Sequence, residues 1–250
     1  MKRVLLVVAY DGTAYNGWQL QPGVQTIEGE LNTALSALLC EEIQVIGASR
    51  TDSGVHALCN IAVFDTNARI PAEKISYALN QRLPEDIRIQ KSMEVAADFH
   101  PRHCNSKKTY EYRILNREFP MPTKRLYHHF TYVPLNVDKM AEGAVCLIGE
   151  HDFKSFCATA AVVETTVRTI TDISLEESED EIVIRVSGTG FLYNMVRIIA
   201  GTLIEVGRGS YPPEKVKEIL DAKDRQAAGP TAPACGLTLV KYEFEDLQEL

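Results

Sequence analysis

The alternation of hydrophobic and polar positions predicts one unit of strands and helices in the first hundred residues. Four segments have the composition or the two-residue period of strands: residues 3–10, 43–48, 56–66 and 86–95. Two helices are predicted between them, one that Thr26 can cap and one over residues 71–83 that opens with a proline. The resulting β-α-β-β-α-β order is that of the ferredoxin-like split unit, in which two helices cover one face of an antiparallel sheet.

The same order recurs in the second half of the chain. Strand patterns cover residues 108–115, 167–177, 181–188 and 236–244, and helical patterns cover residues 136–149, 193–206 and 212–223. We therefore predict an α+β fold of two ferredoxin-like, RRM-like repeats that form a mostly antiparallel sheet with helices on one face and a central cleft. The predicted N-terminal half is residues 1–104, and the C-terminal half, residues 105–250, carries an extra helix and loop insertions.

Composition favours a globular protein of the cytoplasm. The 250 residues are 45% hydrophobic and 24% charged, and no stretch approaches the roughly 20 apolar residues that a membrane span requires. The apolar run from Val4 to Tyr10 ends in Asp-Gly, which is typical of a first strand and not of a signal peptide. Because the six cysteines occur singly, we expect reduced thiols and a cytoplasmic location.

The net charge of −8 argues against a nucleic-acid partner until its distribution is considered. Residues 176–181 hold five carboxylates and residues 243–249 hold four, so most of the negative charge lies in two clusters. By contrast, residues 98–125 carry seven bases against three acids and include Tyr110 and Tyr112. A basic stretch with interleaved tyrosines can hold phosphates and stack on bases, although a solvated surface explains it equally well at this stage.

The segment SRTDSGVHA, residues 49–57, brings an arginine, an aspartate and a histidine close together. Asp52 before Ser-Gly suits a tight turn, so a structural role and a catalytic role stay equally open from the residues alone. Arg50 and His56 favour a functional site. A turn does not need an arginine, whereas a site that binds an anionic backbone does.

Arg197 is the one charged residue between Phe191 and Ile204, in a predicted helix that is apolar around most of its circumference. A buried guanidinium without a partner costs several kcal/mol, so we expect it to face a carboxylate; an edge position with a snorkelling side chain is the alternative. If the two repeats face each other, Asp52 is its natural partner. Such a pair would keep the carboxylate ionised, which suits nucleophilic attack.

Other site chemistry has weaker signals. Tyr110 and Tyr112 share one face of a predicted strand, where they either pack in the core or stack on a base. The stretch HPRHC, residues 100–104, offers two histidines and a cysteine, but the chain has no second close-spaced pair of ligands, so a structural zinc is not expected. The sequence contains no phosphate-binding loop, dinucleotide fingerprint or nucleophilic serine elbow.

Six stretches together resemble the tRNA pseudouridine synthase A family in the family's order: YDGTAYNGWQLQP (10–22), SRTDSGVHA (49–57), KTYEY (108–112), GEHDFKSF (149–156), GTGFLYNMVR (188–197) and GLTLVKY (236–242). Ser49 and Ser53 stand where the family usually has Gly and Ala, and both are small enough to keep the loop. The resemblance implies an isomerase that detaches uracil from its ribose, rotates it and rejoins it through carbon. It further implies action at positions 38, 39 and 40 of the tRNA anticodon stem-loop, with no metal or organic cofactor.

The resemblance also assigns roles to single residues. Asp52 is similar to the catalytic aspartate; attack on the ribose C1′, attack on the uracil C6 and proton abstraction leading to a glycal stay open as its first step. Arg50 is similar to the residue that enters the RNA stem and turns the target nucleotide outward. Tyr110 matches the ring that stacks on the flipped uracil, and Arg197 matches the ion-pair partner of Asp52. The family acts as a homodimer, so we expect tRNA and a second copy of the chain as partners, and no membrane.

Two other classes of protein fit less well. A non-catalytic RNA-binding module of two RRM-like units should carry an Arg-Gly-aromatic signature on a strand, and it would leave an Asp–Arg pair unexplained. A carboxylate-based hydrolase of the glycosidase kind should show a second carboxylate placed like Asp52.

Overall fold

The computed structural model describes residues 1–159 and 163–245. The chain divides into two compact units, one comprising Met1–Ser106 with the C-terminal residues from Leu239 onward, and the other comprising Lys107–Thr238. Two acids of the C-terminal acidic cluster, Asp246 and Glu249, lie outside the described residues. None of the helices within the described ranges is long and apolar enough to cross a membrane.

The first unit is built around a strand that is paired on both sides. This strand, β1 (Lys2–Tyr10), has buried side chains on both faces because Val4 to Val8 are all buried. The other strands of the unit are β2 (Ile46–Gly47), β3 (His56–Thr66), β4 (Ile87–Val95) and, from Leu239, the last strand β10 (Leu237–Phe244). β1 pairs antiparallel with β3 and with β4, and β2 pairs antiparallel with β3, which also neighbours β10.

Two helices complete the first unit where the sequence predicts them. Helix α1 (Ile27–Leu39) is capped by Thr26, whose Oγ1 accepts a hydrogen bond from the Gly29 N–H at 3.2 Å. Its buried face is formed by Ile27, Leu31 and Leu35. Helix α2 (Ala72–Leu79) follows Pro71, whose fixed φ prepares the chain for a helix.

The described residues of the second unit form five strands and three α-helices, namely β5 (Ser106–Asn116), β6 (His129–Thr131), β7 (Gly149–Asp152), β8 (Val167–Ser178), β9 (Glu181–Gly188), α3 (Val137–Ala144), α4 (Met195–Gly207) and α5 (Lys215–Ala222). The strand order β5-β9-β8-β7 is antiparallel throughout, and only β6 pairs with β5 in parallel. Helix α4 is almost wholly buried and forms the core of this unit.

The prediction of one helix over residues 136–149 was wrong in its length. The α-helix ends at Ala144, residues Val145–Leu147 tighten into a 3-10 turn, and Gly149 then adopts a φ of +110° before β7. Only glycine adopts this backbone conformation readily, so the chain changes direction there.

The predicted α+β class with mostly antiparallel pairing is confirmed, and the described residues form five α-helices. The two ferredoxin-like repeats, the central cleft and the boundary at residue 104 stay predictions.

Candidate active site

Asp52 lies on the loop between β2 and β3, in the first unit. Its backbone carbonyl accepts a hydrogen bond from the Val55 N–H at 3.1 Å, and Gly54 turns the chain with a φ of +78°. The Asp52 side chain is half-buried. The residue therefore forms the tight turn that its sequence predicts, and the same turn presents the carboxylate at the protein surface.

The segment from Tyr10 to Trp18 holds this loop by its backbone. The Trp18 N–H donates to the carbonyl of Thr51 at 3.0 Å. The carbonyl of Tyr15 accepts both the Gly54 N–H at 3.3 Å and the Ser53 hydroxyl at 3.2 Å. Residues on both sides of Asp52 are thus tied to one neighbouring segment, which limits the directions in which its carboxylate can point.

A buried amide fixes the other end of the loop. The Asn60 side chain, fully buried, accepts the Ser49 N–H at 3.2 Å and donates to the Ser49 carbonyl at 2.9 Å. It also donates to the Tyr10 hydroxyl at 3.2 Å, and that hydroxyl lies 2.7 Å from Thr51 Oγ1. Burial raises the pKa of Tyr10, so this hydroxyl stays neutral within the network.

The sequence drew attention to His56 but gave it no partner. The imidazole is buried, and its Nδ1 lies 3.0 Å from the Gly12 N–H and 3.1 Å from Asp11 Oδ1. A Cβ atom on Gly12 would stand 2.1 Å from the Val55 carbonyl oxygen, so only glycine fits against the loop here. The Tyr-Asp-Gly motif at residues 10–12 therefore packs against the Asp52 loop at Val55 and His56 and supports it there.

Arg50 lies on the same loop, two residues before Asp52. Its side chain is exposed, and within residues 1–159 and 163–245 it makes no hydrogen bond or ion pair. An arginine that reaches into solvent from a fixed backbone is free to meet an external anion.

Tyr110 lies in the second unit, on β5. The residue is 9% exposed, and its ring meets Phe191 edge to face, with ring centroids 5.2 Å apart. Tyr112, on the same face of the strand, is fully buried, and its hydroxyl donates to the Pro233 carbonyl at 2.9 Å. Tyr112 therefore belongs to the core, whereas Tyr110 keeps a small exposed fraction.

Arg197 also lies in the second unit, near the start of α4, where it is half-buried. Its Nε donates to the Ala232 carbonyl at 2.8 Å, and its Nη1 donates to Asn194 Oδ1 at 2.9 Å. These two contacts, both to uncharged acceptors, fix the orientation of the guanidinium. Pairing of Arg197 with Asp52 stays a prediction.

The four residues that the sequence singled out thus fall into two pairs: Asp52 and Arg50 share one loop of the first unit, and Tyr110 and Arg197 belong to the second.

The described ranges contain no group of three or more His, Cys, Asp or Glu side chains that could hold a metal ion. In the HPRHC stretch, the rings of His100 and His103 stack 3.9 Å apart instead of converging on one point.

Comparison with known proteins bears on the whole chain. The profile of a family described as "tRNA pseudouridine synthase" matches residues 6–103 and 144–245, which include Asp52 and Arg197. The chain belongs to the tRNA pseudouridine synthase family. Tyr110 falls in the stretch between the two matched ranges.

Curated relatives align with nearly every residue of this family member. The protein named tRNA pseudouridine synthase A of Thermoanaerobacter sp. (strain X514) is 49% identical over 245 residues, with 98% of this chain and 100% of the relative covered. The protein of that name from Bacillus subtilis (strain 168) is 48% identical, with the same coverage. In a solved H/ACA RNP bound to a substrate RNA containing 2′-deoxyuridine, one chain matches with a TM-score of 0.33 and 13% identity, over 83% of this chain and 54% of that one. That likeness is too low to carry an argument.

The predicted family and reaction class are therefore confirmed: the protein is an isomerase of the tRNA pseudouridine synthase family, which acts on uridine in tRNA.

Proposed function

We propose that the protein converts uridine to pseudouridine at positions 38, 39 and 40 of the tRNA anticodon stem-loop, with Asp52 as the catalytic aspartate and without a metal or organic cofactor. One observation carries the proposal. The half-buried Asp52 carboxylate stands on a turn whose backbone is hydrogen-bonded at Thr51, Gly54 and Val55. A carboxylate held in a fixed direction is what attack on one atom of a bound nucleotide requires.

The reaction breaks the bond between uracil N1 and ribose C1′ and forms a bond from C5 to the same C1′. C5 loses its hydrogen to solvent as a proton, and N1 gains a proton. Asp52 takes part as an ionised group, either by attack at C1′ or C6 or by removing a ribose proton to give a glycal. Arg197 is its proposed ion-pair partner. The contacts of Arg197 with Ala232 and Asn194 support this role, since they fix the orientation of its guanidinium.

A nucleotide inside an RNA stem must leave the stack before Asp52 can reach it, which costs a few kcal/mol. We assign Arg50 to the space that the uridine leaves and Tyr110 to stacking on the uracil. The exposed side chain of Arg50 supports the first role. The 9% exposure of Tyr110 supports contact with a base.

The proposal keeps the predicted architecture of two ferredoxin-like repeats, residues 1–104 and 105–250, with a central RNA-binding cleft, and it keeps a homodimer as the working form in the cytoplasm. The strand pairing of the first unit supports a repeat of this type. Its order β4-β1-β3-β2 is all antiparallel, and this is the order in which a split β-α-β unit arranges its strands.

Three tRNA transcripts test the proposal, each with a single tritium-labelled uridine, at position 38, 39 or 40, and tritium at C5. We expect the protein to release tritium from all three. A fourth transcript, labelled only at uridines outside the anticodon stem-loop, serves as the control. Equal release from the control transcript, or no release from any of the three, would contradict the proposed site of action.

A further inference from the structure

A second arginine is hydrogen-bonded to the backbone close to Arg50 in the sequence. Arg102, in the segment that follows β4, donates from its Nε to the Gly47 carbonyl at 2.7 Å. Gly47 is the last residue of β2 and stands three positions before Arg50. The hydrogen bond uses Nε of the Arg102 guanidinium, and the residue as a whole is exposed.

Neither arginine has a carboxylate partner. In the described part of the chain, Arg50 and Arg102 form no ion pair, and the Gly47 contact is the one hydrogen bond of the Arg102 guanidinium. Arg3 of the same unit differs, because its guanidinium donates hydrogen bonds to both oxygens of the Asp65 carboxylate, at 2.7 and 2.8 Å. The positive charges of Arg50 and Arg102 are therefore available to bind an external anion.

The two guanidinium groups lie near enough to repel each other. The pKa of Arg102 is below its usual value, first because partial burial disfavours the charged form and then because of the positive charge of Arg50; Glu28 acts in the opposite direction. One carboxylate oxygen of Glu28 is already bound to the Leu20 N–H at 2.7 Å. An anion placed between the two arginines would remove this repulsion.

The backbone beneath the pair is rigid. The Ala48 N–H donates to the Ile61 carbonyl at 2.7 Å, and Ser49 is held on both sides by Asn60. Because the backbone beneath both side chains is fixed before any ligand arrives, binding has to order only the side chains. Preorganised arginine pairs of this kind suit phosphate, whose oxygens accept several charge-assisted hydrogen bonds at once.

We propose that Arg50 and Arg102 together form a binding site for a phosphodiester group of the RNA backbone, next to the nucleotide that Asp52 attacks. The site rests on the proposed function insofar as the RNA is the substrate of Asp52, which lies two residues from Arg50. Arg102 is a positioning residue in this account. It holds the strand at a fixed distance from Asp52 and touches no reacting atom.

The test measures tRNA affinity as a function of salt concentration for the wild type, Arg50→Gln, Arg102→Gln and the double variant. Each phosphate contact that is lost lowers the slope of log K against log salt by about 0.7 to 0.9. We expect each single variant to bind tRNA about tenfold more weakly. In the double variant, the slope of log K against log salt should fall by the amount expected for one lost phosphate contact. Its loss of tRNA affinity should be smaller than the sum of the losses in the two single variants. An unchanged slope in the double variant, or strictly additive losses, would overturn the shared site.

Two further variants separate charge from structure. Arg102→Lys keeps the charge and loses the Nε donor, so it should retain most of the wild-type slope; loss of the full slope in this variant would assign Arg102 a structural role alone. Arg82→Gln, an exposed arginine at the end of α2, is the matched control and should bind tRNA like the wild type. Circular dichroism of all variants shows whether each is folded.

Two comparisons isolate the ligand and the proposed function. If inorganic phosphate displaces tRNA from the wild type more strongly than chloride at equal ionic strength, and the double variant lacks this effect, tRNA and the free anion compete for the arginine pair, as the proposal requires. Equal displacement of tRNA from the wild type and the double variant would place the phosphate effect elsewhere and overturn the proposal. Tritium release is scored separately. A wild type that binds tRNA without releasing tritium would refute the proposed function, whereas the salt slopes alone decide on the arginine pair.

Discussion

Ser49 carries a hydroxyl that the neighbouring protein groups do not use. The residue is 5% exposed, and its Oγ has no hydrogen-bond partner in the described part of the chain, although both of its backbone groups are bound to Asn60. A buried polar atom without a partner costs about 1–3 kcal/mol. The position therefore lowers the stability of the loop that bears Asp52.

Ser49→Ala should raise the free energy of unfolding by about 1 kcal/mol, because it removes the unsatisfied hydroxyl and keeps the backbone contacts. Urea unfolding followed by circular dichroism measures the change. Ser53→Ala is the matched control, since the exposed Ser53 hydroxyl donates to the Tyr15 carbonyl, and this variant should not gain stability. A loss of stability in Ser49→Ala would show that the hydroxyl has a partner.

At the scale of residues, the sequence identified Asp52 and Arg50 because a charged turn with an unneeded arginine is visible as a local pattern. The parts played by His56 and Arg102 could not be found in this way. Each contacts a backbone group that is distant along the chain: His56 Nδ1 accepts from the Gly12 N–H, 44 positions away, and Arg102 Nε donates to the Gly47 carbonyl, 55 positions away. A contact with a backbone group cannot be inferred from the order of side chains in a sequence.

At the scale of elements, the Asp52 loop depends on a segment that comes forty residues earlier. Gly12 lies so close to Val55 that an added Cβ would meet the Val55 carbonyl oxygen, and the segment is also hydrogen-bonded to the loop through the Tyr15 carbonyl and the Trp18 N–H. A change that pushes this segment away should therefore move the carboxylate even though Asp52 itself is untouched.

Gly12→Ala should lower the rate of tritium release at least about tenfold, because its Cβ would stand 2.1 Å from the Val55 carbonyl oxygen and must displace the loop. Single-turnover assays at saturating tRNA measure the rate. Gly23→Ala, at a φ of +78° with open space around its Cβ position, introduces backbone strain away from the loop. It should lose stability and keep its rate; equal losses of rate in both variants would reject the supporting role of Gly12.

A second element-scale feature is the ion-pair cluster at the start of β9. The Glu181 carboxylate accepts hydrogen bonds from His128 and Arg113, both at 2.8 Å, and lies 3.4 Å from the Lys124 ammonium. Burial by itself would raise the pKa of Glu181, but the contacts with His128 and Arg113 outweigh it and lower the pKa to about 2.

The stabilisation by Glu181 should depend on pH in one direction. Because its folded-state pKa of about 2 lies below the ordinary 4.5, the stabilisation is complete above pH 4.5 and is lost as the pH falls toward 2. Glu181→Gln should cost about 2 kcal/mol at pH 7, and most of the difference from wild type should vanish by pH 3. Urea midpoints at both pH values measure it, with the exposed Glu177→Gln as control. A cost that is the same at pH 7 and pH 3 would contradict the pKa assignment.

Most helices and strands were predictable, since their apolar residues repeat with clean periods over eight or more positions. The limits of α2, β3 and β8 lie within four residues of the predicted ones, and α1 begins directly after the predicted cap, Thr26. The short strands β6 and β7 were missed because three or four residues are too few to show a period. The end of α3 was missed because it is set by the φ of Gly149, five residues beyond the helix.

At the scale of the whole molecule, the sequence predicted the α+β class and the family, because class follows from the order of elements and family from motifs spread along the chain. It did not predict that the last strand groups with the first unit from Leu239 onward. That grouping depends on contacts between residues at opposite ends of the sequence. The net charge of −8 was a poor guide to the substrate, because charge acts through where it is placed.

The central claim is that Asp52 performs the chemistry, and Asp52→Asn tests it most directly because the amide keeps the size of the side chain and removes its charge. The measurement is tritium release from tRNA labelled at uridine C5, together with tRNA affinity, for the wild type, Asp52→Asn and the exposed control Asp98→Asn. We predict that Asp52→Asn lowers the release rate by about a thousandfold or more while its tRNA affinity stays within about twofold of wild type. The Asp98→Asn variant should match the wild type in both. Release by Asp52→Asn at the wild-type rate would contradict the account.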